Sequence, residues 1–203
     1  MFLFRQTRKT EVHHEIDLLE DQIRECFGRV VYTHKTHEKM ADASRLTLWR
    51  FKVAQVGTSA LTASGALAVI FLDEAWLKIT TAIVSAIGLV ASAYMRGFDP
   101  GGLAQKHRDT AVKLWDVRET YLSLLTDVRG MSLGADEIRF RRDELQKVLA
   151  GIYRTAPHTT DKGYLSAQKA LKENEEFTFS VDEINAFLPA KLHKAAEPMQ
   201  AAS

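Results

Sequence analysis

His34 and His37 stand three residues apart with Glu38 beside them, a spacing that sets possible metal ligands on one face of a helix. Zinc needs three or four ligands in defined geometry, and the run is not the H-E-x-x-H arrangement of metalloproteases. The two histidines therefore read as solvent-facing residues near a helix start. Cys26 is the single cysteine, which excludes an intramolecular disulfide and any multi-cysteine zinc site. It falls on a helical seam, where a thiol acts as a small buried apolar group. There is no glycine-rich phosphate loop, no G-x-S-x-G elbow and no dinucleotide fingerprint. The carboxylates are interspersed with basic residues, and no isolated pair suggests acid–base work. No catalytic residue, cofactor or metal is expected, and the chain does not read as an enzyme.

The informative polar residues lie inside two apolar runs. Gln55, Ser59 and Thr62 are spaced by four and three and share a helix face. Thr81, Ser85, Gly88 and Ser92, spaced by four, three and four, share another. Small and hydroxyl residues of this kind allow helices to pack closely in a membrane. In an oligomer they also suit the lining of a water-filled path, and spacing alone leaves both readings open. With two runs per chain, a pore would require several copies.

The elements that carry these residues follow from charge. Residues 53–72 hold no charged side chain over 20 positions, and residues 79–95 none over 17. The interval 73–78 between them holds Asp73, Glu74 and Lys78. At 1.5 Å per residue the first run makes a helix about 30 Å long, the thickness of a bilayer's hydrocarbon core. Trp49, Arg50 and Lys52 flank its start, Trp76 and Lys78 the turn, and Tyr94 and Arg96 the exit, as interfacial anchors do. A soluble bundle with these runs buried is the competing reading, but it would leave a polar stripe on each helix for water. The runs therefore predict a transmembrane helical hairpin over residues 53–96. Lys35, Lys39, Arg45, Arg50 and Lys52 precede it, and Arg96, Lys106, Arg108 and Lys113 follow it, against Lys78 alone in the turn. That bias places both termini in the cytoplasm. No N-terminal signal peptide is evident before Arg5.

The flanking segments are helical too. Val12, Ile16, Leu19, Ile23, Cys26 and Val30 make a seam with spacings of 4, 3, 4, 3 and 4 among charged neighbours. A second helix is expected from Thr36 or His37 into the first span. After the hairpin, Asp99-Pro100-Gly101-Gly102 breaks the helix. Ala111, Leu114, Tyr121, Leu125 and Val128 form one further seam, and Ile138, Leu145, Val148 and Ile152 another, across a turn at 130–134. A short helix is expected over 162–173, and Ser180 with Glu183 has capping-box spacing ahead of Ile184 and Phe187. The fold class is thus all-α: a two-span hairpin joined to an antiparallel cytoplasmic bundle. Residues 1–52 are the N-terminal helices, 97–189 the second cytoplasmic region and 190–203 a frayed tail. Across 203 residues, 27 Lys and Arg against 26 Asp and Glu leave a net charge of +1, too balanced for a dedicated nucleic-acid binder. Four prolines and eleven glycines are few for an all-β sandwich. The soluble-looking mean hydropathy of −0.17 averages two apolar spans with charged surroundings.

A short-turn hairpin within long helices, entered through Arg45-Leu46-Thr47-Leu48-Trp49-Arg50-Phe51-Lys52, resembles the SLATT family. The exit at 94–102 and the run Lys113-Leu114-Trp115 add to the likeness, which covers about residues 10 to 190. The family has no catalytic signature, so no catalytic residue is carried over. The resemblance implies an oligomeric, membrane-permeabilising effector of bacterial antiphage defence in the inner membrane. It also implies a sensor encoded nearby: a nucleotide-second-messenger synthase, a nucleotide-binding sensor or a reverse transcriptase. A non-conducting anchor that holds a partner enzyme at the membrane is the alternative.

Overall fold

A computed structural model describes residues 2–72 and 74–194, with side chains from residue 13 onward. Asp73, the Val12 side chain and residues 195–203 of the expected tail lie outside the described residues.

Every regular element among the described residues is helical. The longest, α1 (Phe2–Phe71), runs for 70 residues without interruption, about 105 Å at 1.5 Å per residue. No proline precedes Pro100, so nothing in α1 removes a backbone donor. The expected helix start at Thr36 or His37 does not occur. The Thr36 hydroxyl donates back to the Tyr32 carbonyl at 2.8 Å instead of capping a new N-terminus, so the N-terminal seam and the first span are one rod.

A tight turn leads into α2 (Ala75–Phe98), which returns antiparallel to α1. The break before α3 (Pro100–Arg129) is a single residue, Asp99, at φ 36° and ψ 64°. Asp99 does two jobs. Its backbone N–H closes α2 on the Met95 carbonyl, and its carboxylate accepts from Gly102 N–H at 3.0 Å to cap α3. Pro100 follows at the first helical turn, where its missing N–H costs nothing. A Cβ on Gly102 would collide with the Asp99 carboxylate, so this cap depends on glycine there.

α3 runs back along the N-terminal half of α1, and α4 (Ala135–Thr155) packs against both. The core lies where the three meet: Leu19, Ile23 and Val30 from α1, Leu114, Val117, Tyr121, Leu124 and Val128 from α3, and Ile138, Leu145 and Ile152 from α4. Each fully buried aliphatic side chain contributes about 1.5–3 kcal/mol in transfer from water. Cys26 packs against this core half-buried, and the Tyr121 hydroxyl is enclosed with no hydrogen-bond partner. Burial pushes the Tyr121 phenol well above its ordinary range, with the Cys26 thiol as a close neighbour. Leu125 of the expected α3 seam packs on the core half-buried, whereas Val148 of the α4 seam is exposed.

α5 (Asp161–Lys172) crosses α1, stacking Tyr164 on Tyr32 with ring centres 5.8 Å apart. Gly163 sits directly on Met40, with no room for a Cβ. α6 (Val181–Phe187) carries the capping box between Ser180 and Glu183 and buries none of its residues. A 3-10 turn, Ala190–Leu192, follows Pro189.

Candidate functional site

Two places carry polar side chains in unusual settings: the hairpin and a cluster on the bundle.

The hairpin's outer surface is apolar and exposed. Val56 is 71% exposed, Ile70 74% and Leu89 71%, and the apolar windows of the two helices bury almost nothing within the molecule. A soluble bundle buries such faces, whereas these stay uncovered within the chain. The two helices are long and apolar enough to cross a membrane.

Between them runs a seam. Gln55 Nε2 donates to Ser92 Oγ at 3.2 Å, and Ser92 Oγ donates to the Gly88 carbonyl at 2.8 Å. Thr58 fits against Gly88 so closely that a Cβ there would lie 2.8 Å from its hydroxyl. Gly65 receives Thr81 in the same way. Thr62 is half-buried on this side, and Ala91 is buried. At the bundle end, Phe51 stacks on Tyr94 at 4.4 Å, and Tyr94 meets Phe98 at 4.6 Å. Gln55, Thr62, Thr81, Gly88 and Ser92 thus share the seam inside one chain, whereas Ser59 and Ser85 are exposed outside it. Trp49, Arg50, Lys52, Trp76, Lys78 and Arg96 are exposed near the ends of the apolar runs, and Tyr94 is half-buried in the stack. Thr58 and Gly65 were missed by the sequence reading. The series Gln55, Thr58, Thr62 and Gly65, with spacings of 3, 4 and 3, was the signal for them.

On the bundle, the histidines expected at the surface are enclosed: His34 is 4% exposed and His37 2%. The correction follows from the unbroken α1. With no helix start at this point, α3 covers that face. His37 Nδ1 lies 2.9 Å from His107 Nδ1 across the α1–α3 contact. His107 Nε2 is buried without a partner. A lone pair is cheaper to leave unmatched there than an N–H, so we assign the donated proton to His107 Nδ1, accepted by His37. Burial, with the neighbouring His107 and His34, pushes His37 down to about 4, and burial also lowers His107 and His34.

Two residues before His37 is Lys35, 6% exposed yet charged. Burial opposes its charge, but Glu176 at 2.5 Å and Glu38 at 2.8 Å outweigh that and hold its ammonium above the usual lysine range. Glu176 also accepts from Lys39 at 2.9 Å, and the two lysines bring its carboxyl down to about 2. The neighbouring ring of Phe177 stacks on His34 at 5.5 Å, with Lys35 Nζ 4.4 Å and the Arg118 guanidinium 4.7 Å from its centre. Around this arrangement is a cavity of about 550 Å³. No sequence pattern links residues 34–39 with 176–177, which are brought together only by the folding of α5 onto α1. Among the described residues, no three His, Cys, Asp or Glu side chains are grouped as metal ligands.

An apolar two-helix hairpin on a helical bundle defines a two-transmembrane helical protein. Residues 19–183 match SMODS and SLOG-associating 2TM effector domain family 4, and the chain belongs to that family. No curated protein and no solved structure matches it.

Proposed function

We propose that this chain is an antiphage effector of the bacterial inner membrane that assembles into oligomers and permeabilises the bilayer when a partner sensor signals. Both termini lie in the cytoplasm in this reading, and no catalytic step is involved. The family supports the effector role. The observation that carries the oligomeric reading is the exposure of Ser59 and Ser85 among apolar neighbours, outside the seam of their own hairpin. Ser59 lies about 80° and Ser85 about 60° round its own helix from that seam, in the same sense, at about 100° per residue. On antiparallel helices, offsets of the same sense fall on one side, so the two serines share a face. A hydroxyl left facing lipid is unfavourable, and a second copy or a water path across that face would satisfy it.

The same hairpin also supports a second reading, a non-conducting scaffold for a partner enzyme. Its internal polar groups are already matched, through Gln55 and Ser92.

The deciding measurement is membrane potential, followed with a voltage-sensitive dye in bacteria expressing the chain with its genomic neighbours under phage challenge. Rapid depolarisation, lost in a Ser59→Leu/Ser85→Leu variant that still inserts, is the expected result. An unchanged potential with the protein in the membrane and the system triggered would leave the scaffold.

A further inference from the structure

Glu176 and Phe177 occupy their cavity as a bound molecule would. The Glu176 carboxylate sits between two ammonium groups, Lys35 and Lys39. The Phe177 ring is stacked on one side by His34 and approached by Lys35 and Arg118. An anion beside a flat ring, one held by paired cations and the other by stacking and cation–π contact, is the chemistry by which nucleotides are held. The geometry points to this cavity as a binding site for a nucleoside phosphate, with Glu176–Phe177 as a built-in occupant that such a ligand displaces.

Three observations favour a ligand larger and more charged than the segment now present. The cavity keeps about 550 Å³ with Glu176 and Phe177 in place, within the range of about 300–1,000 Å³ typical of small-molecule sites. Its walls also hold Arg108 and Trp115, a further cation and a further stacking surface. A phosphate brings up to two negative charges in place of the single charge of Glu176, which Lys35 and Lys39 now share beside the Lys35–Glu38 pair. Phe177 also helps to separate this cavity from a second of about 720 Å³, which shares Trp115 and Arg118, so its withdrawal enlarges the site.

The occupant is built to leave. Glu175 just before it holds a left-handed φ of 50°, a strained setting for glutamate. α6, just after it, buries no residue, so withdrawal of the loop opens no core. When Glu176 departs, Lys35 keeps Glu38 and is not stranded.

The test uses the full chain in lipid nanodiscs and equilibrium dialysis with labelled AMP and GMP, with inorganic phosphate and adenosine as half-ligands. An internal occupant lowers apparent affinity by the fraction of time the site is open. Glu176→Gln/Phe177→Ala should therefore bind AMP or GMP about tenfold more tightly than the parent or better, assuming the site is open no more than a tenth of the time. Each half-ligand should bind more weakly than the nucleotide. Lys39→Gln and Arg118→Gln, placed in that background, should each reverse most of the gain. Phe177→Ala alone, which keeps every ion pair, should show a smaller gain and guards against misfolding of the double variant. Absence of nucleotide binding by both unplugged variants at millimolar ligand overturns the assignment. Binding that ignores Lys39 and Arg118 also overturns it, as does preference for a Glu-Phe peptide over nucleotide.

Discussion

His37 and His107 meet as two neutral rings in a place from which water is excluded, and their contact has a pH cost with a definite sign. The folded chain holds His37 down at about 4, whereas an unfolded histidine titrates near 6.5. Between those values the unfolded chain binds the extra proton. The stabilising contribution is therefore whole above about pH 6.5, shrinks as the pH falls, and is gone below about 4. Melting of the full chain in detergent should drop between about pH 6.5 and 5, and His37→Gln should flatten that part of the profile. A slope unchanged in the variant would show that the pair does not govern acid sensitivity. Glu176 follows the carboxylate rule and becomes important only in stronger acid. Lys35 and Lys39 lower it to about 2, so the stability it lends is present above about 4.5 and fades as the pH falls toward 2. The bundle core is less forgiving. Leu114 and Ile23 are completely buried where the helices meet, so Leu114→Ala should cost about 2–5 kcal/mol in chemical denaturation.

At the scale of elements, the hairpin seam is specified by small residues with large consequences. Gly65→Val forces a branched side chain into Thr81, and Gly88→Val forces one into Thr58. Overpacking of this kind costs about 1–3 kcal/mol, and either variant should lower the helicity melting point in detergent while membrane insertion persists. Ser59→Val, which faces outward, should leave that midpoint near the parent's. Asp99 provides another element-scale test. Asp99→Ala removes the carboxylate that caps α3 and leaves a β-carbon in a left-handed backbone, so a loss of about 1–2 kcal/mol is expected in the same melt.

Helix positions were readable from charge-free length and from the seams, because both depend on local periodicity. The short helix at Asp161–Lys172 and the Ser180–Glu183 capping box were readable for the same reason. The continuity of α1 was harder to see. Thr36 has the chemistry of a helix start, and only the direction of its hydroxyl bond shows that it is not one. The polar residues of the spans were visible as residues, but spacings of four and of three are nearly equivalent on a helix. Spacing alone therefore groups Ser59 with Gln55, although Thr58 faces α2. The Glu176–Phe177 cluster was not legible at all. It joins residues 137 apart in the chain, and no local rule pairs Lys39 with Glu176.

For the molecule as a whole, the two proposed roles separate on one substitution. Replacement of residues 53–96 by an unrelated apolar hairpin of equal length removes the seam and the Ser59–Ser85 face while it keeps an anchor. The effector reading expects such a chimera to insert yet leave membrane potential unchanged on phage challenge. The scaffold reading expects its partner to remain at the membrane and protection to survive.

The two limbs that join bundle to hairpin are mechanically unlike. α1 passes from the core past Lys35 and His37 into the first span as a single helix. α2 meets α3 at a one-residue joint, Asp99. One limb is a drive shaft and the other a strut on a pivot. A twist of the shaft at Lys35 would meet no break before Gln55, 20 residues or about 30 Å further along the same helix, while the second limb is interrupted at Asp99. On the proposed reading, torque is the form in which an event in the cavity would arrive at the membrane.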